Sequence, residues 1–346
     1  MPSSRPSAER LLTAAWRDRG PVSTLLLPAA WAFAVLAALR RALYRAGWLA
    51  RHRLPVPVVV IGGIVAGGTG KTPLIVALAD ALRAGGRHPG VVSRGYGRRG
   101  SAVRVVATDS APADVGDEPL LIRRRTGCPV AVGADRVAAG RELLRANPDC
   151  DLVLCDDGLQ HYRLWRDVEI AVVDARGAGN GRRLPAGPLR EPVSRLADVD
   201  AIVLNGGDPA GRAAMPGAFR MTLSGEEFRR LDDPGVRRRA GDFAGESLVA
   251  VAGIGDPGRF FAHLSRLGLR FAERPFPDHH AYAAHDLALA ADGILTTEKD
   301  AVKLTGIAPL VPAPGWPPVW VLPVTAAVEP DLARHILEKL DGCPPA

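Results

Sequence analysis

The chain has 346 residues, 47% of them hydrophobic and 23% charged, which is enough to bury a substantial core in two domains or one large α/β unit and excludes disorder as its default. Its formal charge of +7 and pI near 9.7 favour anionic partners such as nucleotides, phospholipid headgroups or nucleic acid, without choosing among them. Four cysteines, Cys128, Cys150, Cys155 and Cys343, show no paired metal spacing, so no zinc site is expected and a reducing compartment fits.

Taken in chain order, the first feature is an uncharged run. No charge falls between Arg19 and Arg40, and the intervening residues, Leu25, Leu26, Leu27, Trp31, Phe33 and Leu36 among them, would span about 30 Å as a helix. Pro21 and Pro28 shorten the reliable helix, and arginines flank it on both sides at Arg17, Arg19, Arg40, Arg41 and Arg45. The favoured reading is a membrane-associated helix lying in the interface, with a core helix as the competitor. At 100° per residue Leu36, Leu39 and Leu43 share one face and Arg41 and Arg45 another, with Tyr44 and Trp48 suited to the headgroup zone.

Strands are expected next at Val56–Ile61, Gly90–Ser93, Val103–Ala107, Val130–Val132, Leu152–Leu154, Ile170–Val173 and Ala201–Leu204, with helices near Leu74–Ala84, Glu118–Thr126 and Arg136–Asn147. This alternation predicts an α/β fold, a P-loop NTPase-like parallel sheet with flanking helices. The polar, Arg-rich stretch from Leu223 to Gly241 reads as a bridge to a smaller C-terminal α/β lobe. That lobe would hold strands Leu248–Ala252, Gly293–Thr297 and Val319–Leu322, a helix over Arg259–Leu267 and a closing helix Asp331–Leu340.

The chemistry begins at Gly67-Gly68-Thr69-Gly70-Lys71-Thr72, which follows an apolar strand and opens a helix. Glycines let the backbone curl so that its N–H groups face a polyphosphate, the helix N-terminus adds partial positive charge, and Lys71 can bridge the outer phosphates. Thr72 is placed to bind Mg²⁺. Lysines number only four against 40 arginines, so Lys71 reads as a selected compact ammonium. Val65 stands where the usual loop pattern opens with glycine, making the loop a variant. The expected nucleotide-binding segment is Val65, Ala66, Gly67, Gly68, Thr69, Gly70, Lys71 and Thr72.

Asp156 and Asp157 close a buried strand at its carboxyl end, where open α/β sheets place ligands, and one of them should reach the Mg²⁺ or its water shell. Gln160 and His161, just beyond, are candidates for substrate contact. Asp117 reads either as a helix N-cap or as a base for an alcohol, and His279, in the Phe276–Tyr282 segment, could hold and tune it if the two meet. Adjacent His279 and His280 point apart on most backbones, which argues against a metal pair. Arg94 and Arg190 could clamp phosphate and Tyr96 could pack on a sugar ring. Thr297-Glu298-Lys299-Asp300 stays open between a site segment and a solvated helix start.

The ordered set of these segments resembles the tetraacyldisaccharide 4′-kinase (lipid A 4′-kinase) family of Gram-negative bacteria. It comprises the N-terminal helix, Gly67–Pro73, Ser93-Arg94-Gly95-Tyr96-Gly97, Gly116-Asp117-Glu118-Pro119, Asp156–His161, Gly187–Pro192, Asp278-His279-His280 and Thr297–Asp300. The resemblance implies ATP- and Mg²⁺-dependent transfer of the γ-phosphate to the 4′-hydroxyl of an acylated glucosamine disaccharide 1-phosphate, the lipid A disaccharide precursor, at the cytoplasmic face of the inner membrane. It also implies that Asp117 and His279 form the catalytic pair, with Lys71 beside them, and that Asp156 and Asp157 serve metal and nucleotide. Three units are expected: 1–50 as the membrane-associated segment, 51–222 as a P-loop kinase core and 223–346 as the second lobe. Such enzymes often carry Asn and Ser or Thr at the positions of Gly63 and Val65, and an aromatic residue at that of Leu159.

A membrane-docked, partner-regulated P-loop ATPase is the alternative, but that group has a signature lysine before the double glycine, where this chain has Ala66. With 5% aromatic residues and no recognition module, nucleic acid is not expected as a partner. No obligatory protein partner is evident either.

Overall fold

The computed structural model describes residues 15–206, 215–305, 307 and 316–341; Cys343 and the outer ends of the first and last expected units lie outside them. The described part begins with α1 (Pro21–Leu25) and α2 (Leu27–Arg45). Both prolines sit in a first turn, where the missing N–H has no partner to lose, so α2 runs unbroken for 19 residues, about 28 Å. It is long and apolar enough to cross a membrane by length and composition, and it is not a core helix: Ala30 is its one buried residue, while Trp31 is 67% and Leu36 66% exposed.

Its arginines differ from the expectation. Arg41 and Arg45 both pair with Asp198, at 2.5 and 3.2 Å, and Arg40 Nη1 donates to the Gln160 carbonyl at 3.2 Å. Tyr44 lies beside the Tyr162 ring rather than free for headgroups, while Trp48 remains 81% exposed. The basic face docks α2 on the protein and leaves Leu36 and Leu39 outward, with Leu43 partly covered.

The next stretch alternates strands and helices: β1 (Val58–Gly62), α3 (Lys71–Ala84), β2 (Pro89–Ser93), β3 (Arg104–Val105), α4 (Pro112–Val115), α5 (Asp117–Thr126), β4 (Val130–Val132), α6 (Arg136–Ala146), β5 (Leu152–Asp156), β6 (Val168–Asp174), β7 (Ala201–Asn205) and β8 (Phe219–Ser224). The rest of the chain supplies β9 (Glu227–Arg230), β10 (Arg237–Arg239), β11 (Leu248–Ala252), α7 (Pro257–Arg266), β12 (Ala272–Pro275), α8 (Ala284–Leu287), β13 (Gly293–Thr297), α9 (Glu298–Leu304), β14 (Val319–Leu322), β15 (Thr325–Val328) and α10 (Asp331–Asp341).

Nine strands form the first sheet in the order β15-β8-β7-β6-β1-β5-β2-β4-β3, parallel except for the two edge pairs. Every residue of β1, β2 and β5 is buried, as expected where helices cover both faces of a parallel sheet. Val59 and Ile61 share a cluster with Leu74 and Leu78 of α3, Leu120 of α5 and Ile336 of α10. Val58 and Val60 face the other way, toward Val137 and Leu143 of α6 and the Leu189–Leu196 segment. Each such side chain contributes about 1.5–3 kcal/mol when fully buried.

The second sheet has the order β10-β9-β14-β13-β11-β12, with β11 to β14 parallel. Four expectations need correction. The segment Leu223–Gly241 is not a plain bridge, because β8 ends in it and β9 and β10 pair within it, their arginines held by Glu227 and Glu246. The expected strand Val103–Ala107 shrinks to two antiparallel edge residues. Neither β12 nor β15 was expected. Finally, β15 pairs β8 of the first sheet, and α10 buries Leu332, Ile336 and Leu340 in the first core, so this helix does not close the second lobe.

Candidate active site

Both lobes open on one cleft of about 3060 Å³, which runs from Phe33 and Leu36 of α2 past Lys71 to His279. That is several times the roughly 300–1,000 Å³ of a drug-sized pocket. Its floor is the turn between β1 and α3. Gly67 and Gly70 both have φ of +95°, and Gly70 is the N-cap of α3. A Cβ on Gly70 would lie 2.3 Å from Asn205 Nδ2, so only glycine fits there.

Two side chains that sequence reading missed hold this turn. Asn205, at the end of β7, donates to the Thr69 carbonyl at 2.9 Å. Arg176 donates to the Gly68 carbonyl at 3.1 Å and is itself fastened to buried Asp174, which also receives Arg259 of α7 at 3.0 Å. Arg176 follows the carboxyl end of β6, which pairs with β1, and Asn205 ends β7 one strand further out; standing at strand carboxyl ends is the signal that could have found them. With its side chain packed in the core near Leu189, Val65 forms a bridge with that residue, and Ala66 N donates to the Pro188 carbonyl. The variant position therefore faces the protein, and the free backbone of the cradle is Gly67–Thr72.

Lys71 Nζ is 3.5 Å from Asp157 Oδ1, and Arg190 Nη1 is 2.7 Å from Asp157 Oδ2. Burial pushes the Asp157 carboxyl up, but Lys71 and Arg190 outweigh it and hold it below the usual carboxylate range. Asp156 goes the other way. Burial, then the charges of Glu118 and Asp157, raise it to about 7, with Ser93 Oγ donating to it at 2.8 Å. Asp156, Asp157 and Thr72 all line the cleft and offer hard oxygen donors, the kind that suits Mg²⁺ held jointly with phosphate. Among the described residues no cluster of three or more His, Cys, Asp or Glu forms a ready metal centre.

Across the cleft, His279 Nδ1 lies 3.2 and 3.1 Å from the two carboxylate oxygens of Asp117. Gly116 takes the N-cap of α5, so Asp117 is its first helical residue and not the N-cap expected as one reading. The imidazole lines the cleft, while Asp117, 5% exposed, sits behind it. Burial pushes Asp117 up, but the His279 hydrogen bond and the charges of Lys299 and Lys303 bring it below its ordinary value. For His279 burial pushes down and Asp117 pushes up, with a raised net result. His279 and Asp157 are the non-glycine residues with positive φ among those described, at 57° and 47°, and both are in the site. His280 turns away to Asp286 at 3.0 Å and stacks on Phe276, so the two imidazoles do not form a metal pair.

The remaining candidates scatter around this centre. Gln160 Nε2 donates to Gly63 O at 3.2 Å and to Glu191 Oε1 at 2.7 Å; Glu191, buried, belongs to the Gly187–Pro192 segment, but sequence reading gave it no role of its own. His161 lines the cleft with its value pushed down to about 4 by burial and then by Arg136. Arg94 and Tyr96 are exposed on the cleft wall, and the Tyr96 ring stands 4.9 Å from that of His279.

Known proteins match nearly the whole chain. The protein named tetraacyldisaccharide 4′-kinase from Dechloromonas aromatica is 52% identical over 328 residues, covering 94% of this chain and 95% of its own. The one so named from Chromobacterium violaceum is 51% identical over 337 residues, covering 96% and 98%. A solved "apo" form of LpxK from Aquifex aeolicus in complex with ATP superposes with a TM-score of 0.74 at 28% identity, covering 92% of this chain and 99% of that one. The family profile described as LpxK, tetraacyldisaccharide-1-P 4′-kinase, matches residues 22–341. With a profile match over nearly its whole length and relatives at about half identity, the chain belongs to the tetraacyldisaccharide-1-P 4′-kinase family.

Proposed function

We propose that the chain transfers the γ-phosphate of ATP to the 4′-hydroxyl of a tetraacylated glucosamine disaccharide 1-phosphate, giving lipid IVA in lipid A biosynthesis. The observation that carries this reading is the single cleft that joins a glycine-rich turn with Lys71, a cleft-lining His279 backed by buried Asp117, and the exposed apolar side of α2. The Gly67–Thr72 backbone and Lys71 hold the triphosphate and take up the charge that develops toward ADP. Thr72, Asp156 and Asp157 would hold Mg²⁺, which when bound neutralises charge on the phosphate oxygens.

The 4′-oxygen attacks the γ-phosphorus while its proton passes to the Asp117–His279 pair. His279 lines the cleft and Asp117 holds its Nδ1, so the proton goes to the imidazole and the buried carboxylate orients and stabilises it. This reverses the expected order, in which Asp117 itself meets the hydroxyl. Arg190 and Gln160, tied to Asp157 and Glu191, and Arg94 with Tyr96 on the opposite wall, form the acceptor surface, with His161 beside them.

The site works at the cytoplasmic face of the inner membrane in this reading. A lipid acceptor leaves a bilayer at a cost of about 0.8 kcal/mol per methylene, so an enzyme docked at the surface spares that step. Leu25, Trp31, Leu36 and Leu39 supply the apolar contact. The test is transfer of label from γ-labelled ATP to the acylated disaccharide 1-phosphate against a protein-only control. Label released as free phosphate in both samples, with none in lipid, would sink the kinase reading in favour of a membrane-docked ATPase.

A further inference from the structure

Lys299 is one of the chain's four lysines, half-buried at the boundary between the lobes with 17% of its side chain exposed. Its ammonium lies 2.9 Å from Glu118 Oε1 and 3.2 Å from Asp278 Oδ1. Glu118 follows Asp117 on the first turn of α5, and Asp278 precedes His279. The ammonium is therefore seated between the immediate chain neighbours of both members of the proton-accepting pair, one from each lobe.

The seat is built rather than incidental. Thr297 caps α9 by accepting from Asp300 N at 3.1 Å, and Arg125 of α5 reaches both oxygens of Glu298 at 2.6 Å, fastening the first turn of α9 to α5. Asp300, fully buried, is taken up by Gly253 N, Thr297 and Lys303, at 3.0, 2.7 and 2.8 Å. Lys299 is thus free to serve the two carboxylates across the boundary. A compact ammonium with rotatable donors suits two carboxylates on different elements better than a planar fork, which accounts for a lysine in an arginine-dominated chain.

We propose that Lys299 is a positioning residue for the transfer step: it draws Glu118 and Asp278 together, keeps Asp117 and His279 in register across the lobe boundary, and cancels the carboxylate charge around the imidazole. The inference rests on the kinase reading of the same cleft. Without the ammonium, Asp117 and Asp278 act on one half-buried imidazole and Glu118 loses its partner, with Lys303 as the remaining lysine acting on Asp117. The charges acting on His279 are those of Asp117, Asp278 and Lys299, and the Tyr96 ring packs against it. Loss of Lys299 removes the cation that offsets these carboxylates at His279, so the imidazole holds its proton to higher pH and is less available as an acceptor at neutral pH.

The test uses the full chain with Lys299→Met, read by steady-state kinetics from pH 6 to 9 and by NMR titration of His279 without substrate. At neutral pH kcat falls by at least about tenfold, a part of the roughly 10²–10⁴-fold that proton transfer supplies, while KM for ATP stays within about twofold because the Lys71 turn is untouched. The acid limb of the rate profile and the His279 titration both move to higher pH, and Lys299→Met with Glu118→Gln recovers part of kcat. An unmoved His279 titration, or a Lys299→Met rate like wild type at every pH, overturns the proposal. Should Lys299→Met fail to fold, Glu118→Gln alone must lower kcat at unchanged KM for ATP, and an unchanged kcat there overturns it equally. The His279 titration needs no acceptor, so a wild-type chain that leaves the lipid unphosphorylated defeats the kinase reading while the titration still decides for or against Lys299.

Discussion

His279 Nδ1 lies 3.1 Å from Asp117 Oδ2 although 162 residues separate them in the chain. In the proposed mechanism one buried carboxylate orients one imidazole, so the two would act as a unit. Asp117→Ala and His279→Ala should each lower kcat by about 10²–10⁴-fold, and the double variant should be little worse than the poorer single one. Label transfer from ATP to lipid checks this; fully multiplicative losses would show independent roles.

The same pair sets a pH signature on stability. The folded His279 value is raised, so its contribution is whole below the ordinary histidine value of about 6.5 and is lost as pH rises through the raised one. The folded Asp117 value is lowered, so its contribution is present above the ordinary aspartate value of about 3.9 and is lost as pH falls through the lowered one. Wild type should therefore lose more Tm than His279→Gln between pH 6 and pH 9. Equal losses in thermal melts would remove the pair from the stability balance.

Gly70→Ala should disable the phosphate turn, since its φ of +95° strains any other residue and the new Cβ meets Asn205. Asn205→Ala should leave the Thr69 carbonyl without its donor, destabilise the chain by about 1–3 kcal/mol and raise KM for ATP. Urea unfolding and ATP titration measure the two effects separately.

Lys71→Ala and Asp157→Asn remove opposite charges from one contact 3.5 Å long. The first should abolish transfer. Asp157→Asn should raise the Mg²⁺ concentration needed for half-maximal rate, and chelation with EDTA should stop the wild-type reaction until Mg²⁺ is returned. A rate indifferent to EDTA would remove the metal from the proposal.

Leu36→Glu with Leu39→Glu should shift the chain from vesicles of anionic phospholipid to the soluble fraction, because both side chains are exposed on α2. Arg41→Ala should instead loosen α2 from Asp198, a partly exposed pair worth about 0–1 kcal/mol, and leave vesicle binding largely intact. Vesicle flotation separates the two faces; loss of binding with Arg41→Ala alone would reverse their assignment.

Much of this protein is local and so was readable from residue order alone. The buried strands β1, β2 and β5 announce themselves as apolar runs, the phosphate turn carries its glycines and lysine in sequence, and the carboxylates of Asp156 and Asp157 follow from standing at a strand end. What folding in three dimensions decided are the long-range pairings, which no local pattern encodes. The arginines of α2 turn inward because Asp198, far along the chain, is there to receive them. Helix α10 covers the first sheet because β15 returns to pair with β8. His279 stands in front of Asp117, and Lys299 between their neighbours, because the second lobe packs α9 against α5. Local propensity acts over a few residues and hydrophobic periodicity over one element, whereas these contacts join elements tens to hundreds of residues apart, and only the packed core sets their distances.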